Sequence, residues 1–176
     1  MRVIEKKRPP FMTLQRWLFV SAAALLLFIT VFFIYFRDIQ MPHWSSIRDA
    51  KAKAADAANL VEVEKVYKHV WNTESWIVEG IDEEDNEVFV WITEDKQPEI
   101  IKASDSVSLQ SVKDSFTASK PDASVKRIQP GLLDDEPVWE IFYSIGENPA
   151  HYFYEFYTFD SGTFINVYQL PAKTEP

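Results

Sequence analysis

SWIVEGIDEEDNEVFVWIT, residues 75–93, reads as a complete β-hairpin. Ser75–Ile81 and Glu87–Thr93 are rich in β-branched and aromatic residues, which favour strands. Asp82-Glu83-Glu84-Asp85-Asn86 between them suits an exposed turn. In the second run Val88, Val90 and Ile92 alternate with Phe89 and Trp91. Successive side chains of a strand point to opposite faces, so this strand is apolar on both. A sheet covered on one side only shows a polar second face. Here both faces require a cover.

Upstream of the hairpin, Ser46-Ile47-Arg48-Asp49 fits a capping box. The alanine-rich run Asp49–Ala58 places Ile47, Ala50, Ala54, Ala58 and Val61 on one stripe of small side chains. A helix over 46–58 that packs closely on a sheet is expected. From Leu60 the period changes toward a strand ending near Trp71, with a helix extended through Lys65 as the alternative. Asn72-Thr73-Glu74 then turns the chain. Downstream, Lys96-Gln97-Pro98 turns it again, and Glu99–Lys102 is a short strand.

The pattern then begins anew. Ser104 or Ser106 can cap a second helix carrying Leu109, Val112 and Phe116, ended by Lys120-Pro121. Ala123–Ile128 is a strand, Pro130-Gly131 a break, and Val138–Ile145, His151–Phe159 and Thr163–Leu170 are three more strands. Trp76 aligns with Trp139 and Ile100 with Ile165, with little identity between. The two halves, 46–103 and 104–170, form a structural repeat of a helix followed by four antiparallel strands, an α+β class. A loose tail is expected over 171–176.

Far upstream, Leu18–Phe36 is nineteen residues without a charge. A bilayer core about 30 Å thick takes roughly 20 apolar residues in a helix. A transmembrane signal anchor over 17–36 is expected, with Arg16, Trp17, Tyr35 and Arg37 at the interfaces. The tail 1–16 carries five basic residues against Glu5. That bias puts the N-terminus in the cytoplasm and the rest of the chain outside. A cleaved signal peptide is the rival, but no small-x-small site follows the apolar run. Pro42 ends the helix in this reading, leaving 37–45 as a connector.

Beyond position 37 there are 12 basic and 26 acidic residues, a net of −14. Such a charge argues against nucleic acid or a polyanion as partner. With no cysteine there is neither thiol catalysis nor a disulfide framework. His43, His69 and His151 stand in no metal-ligand spacing and read as surface or edge residues. The acids at 82–87 and at 134–136 lack the alternate spacing and central glycine of a calcium loop, and read as solvated hairpin tips. No phosphate loop or nucleophile elbow is present. A non-enzyme without cofactor or metal is expected.

In 151–159, Phe153, Tyr157 and Phe159 share one face, and Tyr152, Tyr154 and Phe156 the other. The second face meets the other half of the molecule, a helix wrapped by a strongly curled sheet, a partner, or a sugar stacked on the rings. Trp91, Tyr152 and Tyr154 are the candidate partner-binding residues, because tryptophan and tyrosine dominate binding hot spots.

The basic start and anchor, AKAKAADAANL, ESWIVEGID with EVFVWIT, and the aromatic close VWEIFYSI…HYFYEFYTFDSGTFINVYQL together resemble the PepSY-like, cystatin-like exported proteins. Among these the chain is similar to the TseB-like cell wall elongation regulators of Gram-positive rods. That resemblance implies a membrane-anchored, non-enzymatic partner of a class B penicillin-binding protein, the transpeptidase of side-wall synthesis. Alternatives are a protease-inhibitory or peptide-binding module, as the cystatin-like shape allows, and a wall-polymer binder.

Overall fold

The computed structural model describes residues 14–171, with the side chains of 14 and 37–44 left out. Most of the expected basic tail and the tail from 172 therefore lie outside the described residues, as do the side chains of Arg37 and His43. The chain divides between Ser46 and Ile47. In the first unit, Gln15–Phe36 is a helical stretch long and apolar enough to cross a membrane, with none of it buried in the protein. Thr30, its one threonine, donates its hydroxyl to the Leu26 carbonyl at 2.8 Å, hiding a polar group on the helix's own backbone. Trp17 and Tyr35 are exposed near its two ends, and Arg16 precedes Trp17.

Helix α1 runs Leu14–Ala58. The connector expected over 37–45 is thus helical, and Ser46 lies inside the helix instead of at its start. A proline removes one hydrogen bond and costs about 3 kcal/mol in a helix interior. Propagation from good helix formers on either side can offset that. The helix ends where Asn59 takes φ 50°, a left-handed stop that asparagine tolerates.

The second unit holds two antiparallel meanders. β1 (Leu60–Val70), β2 (Glu74–Asp82), β3 (Glu87–Thr93) and β4 (Glu99–Lys102) form the first sheet in that order. α2 (Leu109–Ser119) follows, and β5 (Ala123–Leu133), β6 (Glu136–Ile145), β7 (His151–Thr158) and β8 (Phe164–Gln169) form the second. α2 is capped by Ser108, whose Oγ accepts from the Ser111 N–H at 3.1 Å, and not by Ser104 or Ser106. Those two lie in or beside a turn of 3₁₀ helix at Ala103–Asp105. The expected break at Pro130 is strand instead, paired with Trp139. β5 is an edge of its sheet, where a proline's missing donor is tolerated.

Both faces of the first sheet are covered. Ala50 and Ala54 of α1 pack on Val78, Val90 and Ile92. On the opposite face Ile77, Phe89 and Trp91 join Val112 and Phe116 of α2 and Trp139, Ile141, Tyr143 and Phe159 in the main core. Gly80 is required by close approach: a Cβ there would lie 2.4 Å from the Glu62 carbonyl oxygen, where β1 is bulged.

The alanine stripe sets how closely α1 approaches the sheet. Ala54 is fully buried, whereas Ala52 is exposed. Ala54→Leu is expected to destabilise the domain by about 1–3 kcal/mol through overpacking. Ala52→Leu should stay within about 0.5 kcal/mol of the parent. Denaturant midpoints of the two variants check this, and equal effects would contradict the packing.

Candidate functional site

The second sheet's outer face is where apolar surface remains uncovered. β7 sends Tyr152, Tyr154 and Phe156 there, β6 sends Phe142, and Tyr168 of β8 pairs with Tyr154. The rings form a continuous track. Phe142 stacks on Tyr152 at 5.8 Å and on Tyr154 at 4.8 Å. Trp71, in the β1–β2 turn, reaches across to Tyr154 at 5.5 Å, Phe156 at 4.9 Å and Tyr168 at 5.1 Å. Phe156 is thereby buried, but Tyr152 stays 41% exposed and Tyr168 38%. The Arg127 guanidinium sits 5.8 Å from the centre of the Phe142 ring.

Beside this track lies an open cleft of about 300 Å³, lined by Lys68, His69, Trp71, Arg127, Gln129, Glu140 and Tyr154 among others. Its floor joins the two halves. His69 of β1 is 1% exposed, so its reading as a surface or edge residue is corrected. Its Nδ1 accepts from the Leu132 N–H at 3.2 Å, which leaves the ring proton on Nε2, 3.1 Å from Glu140 Oε2. Arg127 donates to Glu140 Oε1 at 2.9 Å, and Gln129 donates to the same oxygen at 3.3 Å. Gly131 makes room for the imidazole, since a Cβ there would come within 2.6 Å of the ring. Burial pushes the Glu140 carboxyl up, but the bonds from His69 and Arg127 outweigh it and hold the group below its ordinary range. Both imidazole nitrogens are engaged, one to each of two strands of the second half, so the arrangement latches the halves together.

Of the candidate patch, Tyr152 and Tyr154 lie together on the outer face, but Trp91 does not join them. It is 2% exposed, its Nε1 donates to the Gly131 carbonyl at 2.9 Å, and it packs edge-on against Phe159 at 4.6 Å. The reason is that β3 lies inside its sheet, between α1 and the second half. Sequence reasoning passed over Trp71, Phe142, Tyr168 and Glu140 as site residues and put His69 at the surface. A tryptophan beside a polar turn and a glutamate inside VWEIFY were the available signals.

The acidic hairpin tips are used locally. Asp82 Oδ1 accepts the backbone N–H groups of Glu84 at 2.9 Å and Asn86 at 2.8 Å, and Asn86's side chain adds to these. These bonds hold the Asp82 carboxyl low. Asp134 accepts from Asn72 at 2.7 Å and Asp135 pairs with Lys96 at 2.9 Å, so the second tip ties back to the first half. Glu64, Glu79 and Glu87 place carboxylate oxygens within 4.8 Å of one another. Glu79 already binds Lys65 at 2.8 Å and Tyr67 at 2.6 Å.

Residues 49–93 match the model of the cell wall elongation regulator TseB-like domain, which bears out the resemblance over the first helix and hairpin. The fold is similar to that of the YpmB protein from Bacillus subtilis, with a TM-score of 0.60 at 18% identity, covering 70% of this chain and 96% of that one. A candidate lipoprotein from Clostridium difficile 630 aligns over 70% of this chain and 92% of its own, at 15% identity and a TM-score of 0.35. No curated protein matches the sequence.

The latch has a measurable signature. ¹⁵N shifts of His69 should report the Nε2–H tautomer at neutral pH. A double-mutant cycle of His69→Ala and Glu140→Ala should give a coupling of about 0.5–3 kcal/mol. Because the folded carboxyl titrates below its unfolded value, this stability is present above the ordinary carboxylate range. It is lost as pH falls through the folded pKa. A coupling near zero at pH 7 would refute the latch.

Proposed function

We propose that this protein is a non-enzymatic, membrane-anchored regulator of cell wall elongation, working outside the cytoplasmic membrane. Its exported domain engages a class B penicillin-binding protein held in the same membrane. The observation that carries this reading is the aromatic outer face of the second sheet, which among the described residues is roofed by Trp71 and exposed at Tyr152 and Tyr168. Exposed contiguous aromatic surface of this kind marks protein-binding sites. The TseB-like match over 49–93 supplies the biological setting. The apolar stretch Gln15–Phe36 and the basic residues before it support an N-terminus in the cytoplasm. Tethering both proteins to one membrane raises their effective concentration, so a contact of modest intrinsic affinity suffices.

A photo-crosslinking residue at position 152, introduced into the full chain in living cells, should capture a class B penicillin-binding protein. Tyr154→Ala should cut the yield about tenfold, as the loss of a hot-spot ring does. Recovery of abundant neighbours alone, unchanged by Tyr154→Ala, would reject the reading.

A further inference from the structure

The far edge of the second sheet is built differently from that of the first. β4 is four residues long, Glu99–Lys102, with a charge at each end. β5, at the near edge of the second sheet, packs beside β1. β8 is the other edge of the second sheet, and all six of its residues are exposed. Phe164, Ile165, Val167, Tyr168 and the following Leu170 are each more than a third exposed. No charge falls between Thr163 and Pro171. Edge strands are ordinarily blunted by charge, by proline or by a cover, because unpaired backbone groups recruit other strands.

The hydrogen bonds identify which backbone groups of β8 face β7. Leu170 N–H donates to the Tyr152 carbonyl at 2.9 Å, and the register continues through Tyr168 with Tyr154 and Asn166 with Phe156. In an antiparallel ladder alternate pairs exchange both bonds. Val167 and Gln169 therefore turn their backbone groups away from β7. The Val167 N–H is held by Asn166 Oδ1 at 2.8 Å, a local bond that an incoming carbonyl can replace. A register shift at Phe156/Tyr157 puts a bulge by Ile165, which sets where pairing can start.

Charge chooses the occupant. With 12 basic and 26 acidic residues beyond position 37, a second copy would approach against like charge. A strand flanked by lysine or arginine would be drawn in. We propose that β8 is a strand-addition site for an extended segment of a second protein, apolar at alternate positions and flanked by basic residues. The inference rests on the reading of the domain as a protein-binding module, and it names how the partner is held.

The test uses the full chain in detergent micelles with the synthetic probe KKTVTVYVKK and its acid-flanked counterpart EETVTVYVEE. Amide hydrogen exchange at Val167 and Gln169 should slow about tenfold or more with the basic probe and stay unchanged with the acidic one. Val167→Pro removes an outward N–H that no ladder bond uses, so the domain should keep its circular dichroism and lose the protection. Gln169→Pro carries the same expectation if Val167→Pro does not fold. Asn166→Ala frees the masked donor and should tighten probe binding about threefold. No protection, equal protection by both probes, or protection that grows with protein concentration in the absence of probe each overturns the proposal. Capture of a synthase from position 152 with β8 still unprotected would overturn the strand addition while leaving the proposed function standing.

Discussion

Strands that are apolar on both sides need two covers, and the architecture follows from where those covers come from. For the first sheet they are α1 and the second half, which is why Val90 and Trp91, neighbours on one strand, are both buried in different layers. For the second sheet the inner face has α2 and the shared core, but among the described residues the outer face is covered by a tryptophan delivered from the β1–β2 turn. Burying a large side chain contributes about 1.5–3 kcal/mol. Leaving Tyr152 and Tyr168 partly in water forgoes part of that. Trp71 above and Phe142 beside it pack on Tyr154 and recover part of that burial.

Polar groups buried within these strands fix the register that the apolar pattern leaves loose. Among the described residues, no buried side-chain nitrogen or oxygen is without a partner. Glu155 accepts from Tyr143 at 2.9 Å and Tyr157 at 2.6 Å and is paired with Lys120 at the end of α2, so it pins that helix to its sheet. Glu79 plays the same part within the first sheet, through Lys65 and Tyr67. Glu140 reaches across the boundary to His69. A one-residue slip of any of these strands would bury a carboxylate against carbon, at a cost far above that of the apolar mismatch.

Much of this was legible locally. Alternation in 75–93 marked the hairpin, and spacing of small residues in 47–58 marked a helix that lies close to a sheet. Two faces of aromatic residues in 151–159 announced two covers. What alternation cannot say is which cover is complete, since that depends on residues far away in sequence. Trp91 and Tyr152 carry the same signal and have opposite fates, the one inside an interior strand and the other on a face with little above it. Pro130 and Pro42 misled for a related reason. Proline disfavours a local conformation, but an edge position removes the penalty for the first, and strong flanking propensity offsets it for the second. His69 gave no local signal, because its burial is set by a glycine 62 positions later.

The incompletely covered face and the free edge belong to one strand pair, β7 and β8. Tyr152 and Leu170 are hydrogen-bonded neighbours, so a segment added along β8 would extend the aromatic floor by one strand and roof part of Tyr168. Main-chain bonds along the edge are indifferent to sequence, whereas the ring track would select shape, and the net negative charge beyond position 37 would favour basic flanks. Specificity then comes from the combination, none of its parts being tight alone. In the proposed role, where both proteins are tethered to one membrane, a weak composite interface would suffice because tethering would supply the concentration.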